Sequence, residues 1–196
     1  MKTELVAPLR LALVRQKWLG EKVLERCLSI GEVEVARVIA PSADDRLGVA
    51  AIRHRISLHL ADRQVTPAHL PYNVDLIVCA HAHAYVTRPA RQAARLGAIG
   101  YHPSLLPLYR GKDAIEQAIA AGQRVTGGTV YELDDGYDTG RELDQDWCFI
   151  RPDDTPTELW RRELGPMGLK LLGHRIRGLA LRSYRASFSR REGVVS

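Results

Sequence analysis

Long apolar runs are missing from this 196-residue chain. None approaches the roughly 20 residues that a bilayer-crossing helix needs, so no membrane partner is expected. The start, MKTELVAPLRLALVRQKW, has too short an uninterrupted apolar segment for a signal peptide, and LRLALV reads better as a strand. Cysteine is scarce. Cys27, Cys79 and Cys148 are odd in number and lack metal-ligand spacing, which points to buried free thiols in a reducing cytoplasm. Cys79, inside the apolar DLIVCA, reads as a packing residue. No Gly-x-Gly-x-x-Gly follows the first strand, where the chain reads RQKWLGEK, so a dinucleotide cofactor is not expected. There is no internal repeat and no low-complexity linker. The net charge is +5, but the one arginine-dense stretch, Arg175 to Arg191, lacks the interleaved aromatics of a nucleic-acid surface. A solvated basic helix with a frayed end accounts for it.

What remains is ordinary for a globular protein: 45% hydrophobic and 26% charged residues, enough for a sizeable core. Apolar strand patterns are expected at 9–16, 33–40, 56–60, 75–80 and 98–101, with helical periodicity at 20–30, 47–54, 86–95 and 113–121. Strand and helix in alternation imply an α/β fold, a Rossmann-like open and mostly parallel sheet. Segments 125–133 and 141–150 read as an antiparallel extension. A helical segment from Thr155 to Leu181 follows, capped by Thr155, Pro156 and Glu158 and interrupted near Gly165-Pro166. A single domain over 1–196 is expected, with its core at about 9–150 and a C-terminal helix at about 155–183.

The stretch from Leu96 to Gly140 holds the chemistry. A strand ends in His102, Pro103 and Pro107 extend the loop after it, and a later turn places Asp138 between Gly136 and Gly140. An imidazole and a carboxylate that converge can move a proton near neutral pH. Taken alone, each residue is as readily a strand cap or a turn former. In an open α/β sheet, ligands bind beyond the carboxyl ends of the strands, where the loops carrying His81 and His83, His102, and Asp138 are expected. The pair His81-x-His83 has metal-chelating spacing but no third ligand nearby in sequence, so no metal site is expected.

HPSLLPLYRG followed by TGGTVYELDDGYDTG resembles the formyltransferases that use 10-formyltetrahydrofolate. That family includes the glycinamide ribonucleotide, methionyl-tRNA and amino-sugar enzymes and the related formyltetrahydrofolate hydrolases. The resemblance implies His102 and Asp138 as catalytic residues and 10-formyltetrahydrofolate as cosubstrate. It implies a folate pocket formed by the loops carrying His81 and His83 and Asp134, Asp135 and Gly136, with Leu105, Leu106 and Pro107 beside it. Lys17, Trp18 and Arg110 are the acceptor-site candidates. The expected acceptor is a small molecule with a primary amine, and a homodimer is allowed. The larger methionyl-tRNA enzymes carry a C-terminal barrel for which this chain has no matching stretch.

One position departs from the family motif Asn-x-His-Pro-Ser-Leu-Leu-Pro: its Asn is Gly100 here. The family's Asn helps hold the developing oxyanion, and loss of one such donor typically costs about 10²–10³ in rate. His81, His83 and Tyr101 are the candidates to replace it, with Tyr101 ranked last because strand neighbours point to opposite faces. Besides formyl transfer, the resemblance leaves formyl hydrolysis or another one-carbon transfer, or a catalytically impaired folate- or nucleotide-binding module.

Overall fold

The computed structural model describes residues 7–15, 17–80 and 84–192. Seven strands form one sheet. Five are parallel: β1 (Leu9–Arg15), β2 (Val33–Ala40), β3 (Leu58–Leu60), β5 (Leu76–Ala80) and β7 (Ala98–His102). Two more, β8 (Val125–Glu132) and β9 (Glu142–Phe149), extend it antiparallel, giving the order β3-β2-β1-β5-β7-β8-β9. Two short strands, β4 (Gln64–Val65) and β6 (Tyr85–Val86), pair separately.

The central parallel strands β1, β5 and β7 are largely apolar on both faces because helices cover both. Leu11 and Leu13 point into one core with Leu76, Val78 and Ile99, beneath α1 (Lys17–Leu28), α2 (Arg46–Arg53) and α6 (Gly165–Glu192). The alternate residues Ala12, Val14, Ile77 and Cys79 face a smaller core with Val65, Leu70 and Ala90, the last from α3 (Arg88–Ala93). At about 25 cal/mol per Å² of apolar area removed from water, this two-sided burial is the main favourable contribution to the fold. The strand order reverses beside β1, and β5 and β7 both end at that crevice.

The fold matches the sequence expectation, with boundary differences that have local causes. α1 begins at Lys17 rather than residue 20, its first amide capped by the Asp45 carboxylate at 2.9 Å. α3 starts at Arg88, two residues late, because Tyr85 and Val86 are used in β6. The C-terminal helical segment is three elements. Thr155 and Glu158 form a capping box on α5 (Pro156–Leu159), a π-helical turn spans Trp160–Leu164, and α6 runs to Glu192, beyond the expected end. α4 (Ala114–Ala120) lies between β7 and β8. No helix among the described residues is long and apolar enough to cross a membrane.

All three cysteines are buried thiols outside any disulfide. Burial pushes the Cys27 thiol up to about 12 and the Cys148 thiol up to about 11. Thiolate is the reactive form, so the folded protein at pH 8 is expected to react slowly with an aromatic disulfide reagent at both. All three thiols should react at once in urea. Immediate reaction of Cys27 or Cys148 in the folded state would contradict their burial.

Candidate active site

His102 closes β7 and lies opposite Thr129 of β8. Only 6% exposed, its ring is held from two sides. Nδ1 lies 3.3 Å from Asp138 Oδ2, and Nε2 lies 2.7 Å from the Tyr109 carbonyl oxygen. A backbone carbonyl can only accept, so Nε2 carries the donating proton of the Tyr109 contact. Asp138 sits in the turn after β8 with φ of 54°, a left-handed conformation that Asp tolerates better than most residues. Its Oδ2 also accepts from the Gly111 N–H at 2.8 Å, and its Oδ1 accepts from the Tyr131 hydroxyl. The carboxylate thus ties β8 to the end of β7 and to the loop after it.

That loop is anchored from below. The buried Thr129 hydroxyl donates to the Ser104 carbonyl at 2.7 Å and accepts from the Leu106 N–H at 3.1 Å. The Gln145 amide donates to the Leu106 carbonyl at 2.8 Å and to the Thr129 hydroxyl at 3.0 Å. A side chain therefore takes the place of ladder bonds where the backbone leaves the sheet.

The His102–Asp138 pair opens into a cavity of about 1430 Å³. Gly100, Tyr131, Leu133 and Tyr137 line one part of it; Lys17, Trp18, Asp45 and Arg46 line another; Trp160 and Arg161 bring in the π-helical turn. Charges of both signs border it, including Lys112, Asp113 and Glu116. Lys17 and Trp18 line the same cavity as the pair. Arg110 is exposed and does not line this cavity.

Neither Leu105, Leu106 and Pro107 nor Asp134, Asp135 and Gly136 line this cavity. Leu106 is buried and Pro107 exposed. Asp134 is spent within its own turn, accepting from the Gly136 N–H at 3.0 Å and the Thr139 hydroxyl at 2.7 Å. Asp135 is ion-paired with Arg91 and lies 3.9 Å from Arg88, both on α3. His81 and His83 lie outside the described residues. Tyr101 points to the opposite face, where its hydroxyl donates to the Leu164 carbonyl at 2.7 Å and burial pushes its phenol well above the usual range. It is too far committed there to serve His102.

Sequence reasoning overlooked Tyr131 and the Trp160–Arg161 pair. Tyr131 carried a signal, since a tyrosine seven residues before Asp138 in a short strand–turn unit falls close to it. Trp160 and Arg161 carried none, being embedded in a continuous helical pattern.

Several known proteins are similar to this chain in sequence or fold. Over 176 residues the chain is 31% identical to mouse mitochondrial 10-formyltetrahydrofolate dehydrogenase, covering 84% of this chain and 19% of that protein. The chain thus spans about a fifth of the length of the curated relatives it matches. Among solved structures, glycinamide ribonucleotide transformylase 1 from Symbiobacterium toebii is 26% identical with a TM-score of 0.73, covering 88% of each chain. Phosphoribosylglycinamide formyltransferase from Bacillus halodurans is 25% identical with a TM-score of 0.72, covering 87% of this chain and 94% of that one. The model of the formyl transferase family matches residues 22–167, a span that includes His102, Asp138 and the anchoring loop between them; this chain belongs to that family.

Proposed function

We propose that the protein transfers a formyl group from 10-formyltetrahydrofolate to a small primary amine, with residues 1–196 acting as one domain. The observation that carries this reading is the His102–Asp138 pair, buried at its base and facing a cavity large enough for two substrates. The relatives named for 10-formyltetrahydrofolate and for formyl transfer to glycinamide ribonucleotide support it. In the reaction the amine nitrogen attacks the formyl carbon and the carbonyl electron pair moves to oxygen. Collapse breaks the bond to N10, which leaves with a proton, while the amine loses one.

His102 serves that oxyanion. Its Nε2–H, held by the Tyr109 carbonyl in the free protein, turns to the more negative oxygen as it develops. Asp138 keeps the ring oriented and stabilises its charge. Lys17, Trp18 and the Trp160–Arg161 turn hold the acceptor, whose charge the mixed rim does not restrict to one sign. A second reading, hydrolysis of the formyl group, is favoured by Gly100, because the family's Asn, a donor to the oxyanion of formyl transfer, is missing while the His102–Asp138 pair is kept.

Calorimetric titration with 5-formyltetrahydrofolate, a stable analogue of the donor, tests the folate reading. Micromolar binding is expected; no binding overturns it. Tetrahydrofolate release from 10-formyltetrahydrofolate, with and without glycinamide ribonucleotide and other primary amines, then separates transfer from hydrolysis.

A further inference from the structure

Position 100 carries no side chain, and the space one would fill is taken from the next strand. Gly100 of β7 lies directly opposite Tyr131 of β8, so both positions share the sheet face that carries His102. A Cβ at Gly100 would lie 3.2 Å from Tyr131 Cε1, 3.3 Å from its Cζ and 3.0 Å from Leu133 Cδ1. The phenol ring packs over the bare backbone of Gly100 and reaches Asp138, to whose Oδ1 its hydroxyl donates. Oδ2, the oxygen left over, is the one that faces His102 Nδ1 and accepts from Gly111.

We propose that Tyr131 is a positioning residue that, together with Gly100, replaces the side chain missing from position 100. This rests on reading the site as a formyl-transfer centre. The ring supplies the volume and the hydroxyl fixes the carboxylate. A carboxylate held through Oδ2 alone can swing about that contact. A second donor on Oδ1 sets its plane, and with it the direction from which His102 is held. The two positions are coupled: a side chain at position 100 meets the Tyr131 ring and Leu133 closer than ordinary van der Waals contact, so an asparagine there requires both to shift, and removing the ring relieves the Tyr131 contact.

The test is formyl release from 10-formyltetrahydrofolate, with the best acceptor found, by wild type, Tyr131→Phe, Gly100→Asn, Tyr131→Ala and the double variant Gly100→Asn/Tyr131→Ala. Tyr131→Phe keeps the ring, so kcat is expected to fall about tenfold to a hundredfold while KM for the folate stays within about twofold. The double variant is expected to be faster than either of its single variants. Wild-type kcat in Tyr131→Phe overturns the role of the hydroxyl, and a double variant no faster than its singles overturns the pairing. A wild type that neither binds folate nor releases formyl sinks the functional reading instead. The inference is then decided by urea unfolding of Tyr131→Phe, Asp138→Ala and their double variant. Midpoint shifts smaller together than in sum are expected, because both changes remove the same Tyr131–Asp138 hydrogen bond; additive shifts overturn it.

Discussion

Replacing His102 with asparagine is expected to lower kcat for formyl release by about 10²–10⁴-fold. Asparagine keeps a polar side chain of similar reach but carries no ionisable proton, so the change isolates charge and proton transfer from shape. His102 is nearly buried, with Nε2 against the Tyr109 carbonyl and Nδ1 facing the Asp138 carboxylate, so its ring is fixed at the end of β7. Asp138→Asn should give a loss in the same direction, because the neutral amide no longer stabilises the imidazolium. Affinity for 5-formyltetrahydrofolate should change little in either variant, since in the proposed reaction the pair acts at the formyl carbon rather than on the body of the folate. Single-turnover assays alongside titration separate these quantities. Full activity in His102→Asn would remove the pair from the chemistry and leave it a strand-end tether.

How much of this was legible in the sequence varies with the physical signal each segment carries. β1, β5 and β7 were readable because burial on both faces makes them largely apolar runs, and β2, though only partly buried, was placed to the residue. β4 and β6 were not, since two residues have no periodicity. The π-helical turn was hidden because Trp160–Leu164 keeps the apolar spacing of an α-helix to within one residue, while its backbone bonding is set by packing. His102 and Asp138 stood out through the spacing of two motifs. Their contact, and the approach of Tyr131 to Asp138, depends on β7–β8 register, which aligns Gly100 with Tyr131 and His102 with Thr129. The acidic turn shows the opposite case. Asp134 and Asp135 look available in sequence, yet one closes its own turn and the other is bound to α3. Nothing local in DDGYD distinguishes these from Asp138.

Thr129→Val is expected to destabilise the protein by about 2–4 kcal/mol and to lower activity in the fraction that stays folded. Valine matches threonine in shape, so no cavity forms and the whole effect comes from the hydroxyl. That hydroxyl is fully buried and engages the Ser104 carbonyl, the Leu106 N–H and the Gln145 amide. Its removal strands a donor and an acceptor of the loop in a site water does not reach, and each such group costs about 1–3 kcal/mol. The Gln145 amide keeps its second contact, the Leu106 carbonyl, which limits the loss. Against a typical net stability of about 5–15 kcal/mol this is a large share. Because Ser104 and Leu106 belong to the segment that leaves His102, the loop's loosening reaches the imidazole through two peptide bonds, and kcat falls with stability. Thr129→Ser keeps the hydroxyl and loses one methyl group, so it should cost about 1 kcal/mol and retain activity. Urea unfolding of the two variants decides the matter. Valine as stable as serine would mean that the loop is held by its prolines and its packing, and that Thr129 is a spectator beneath the site.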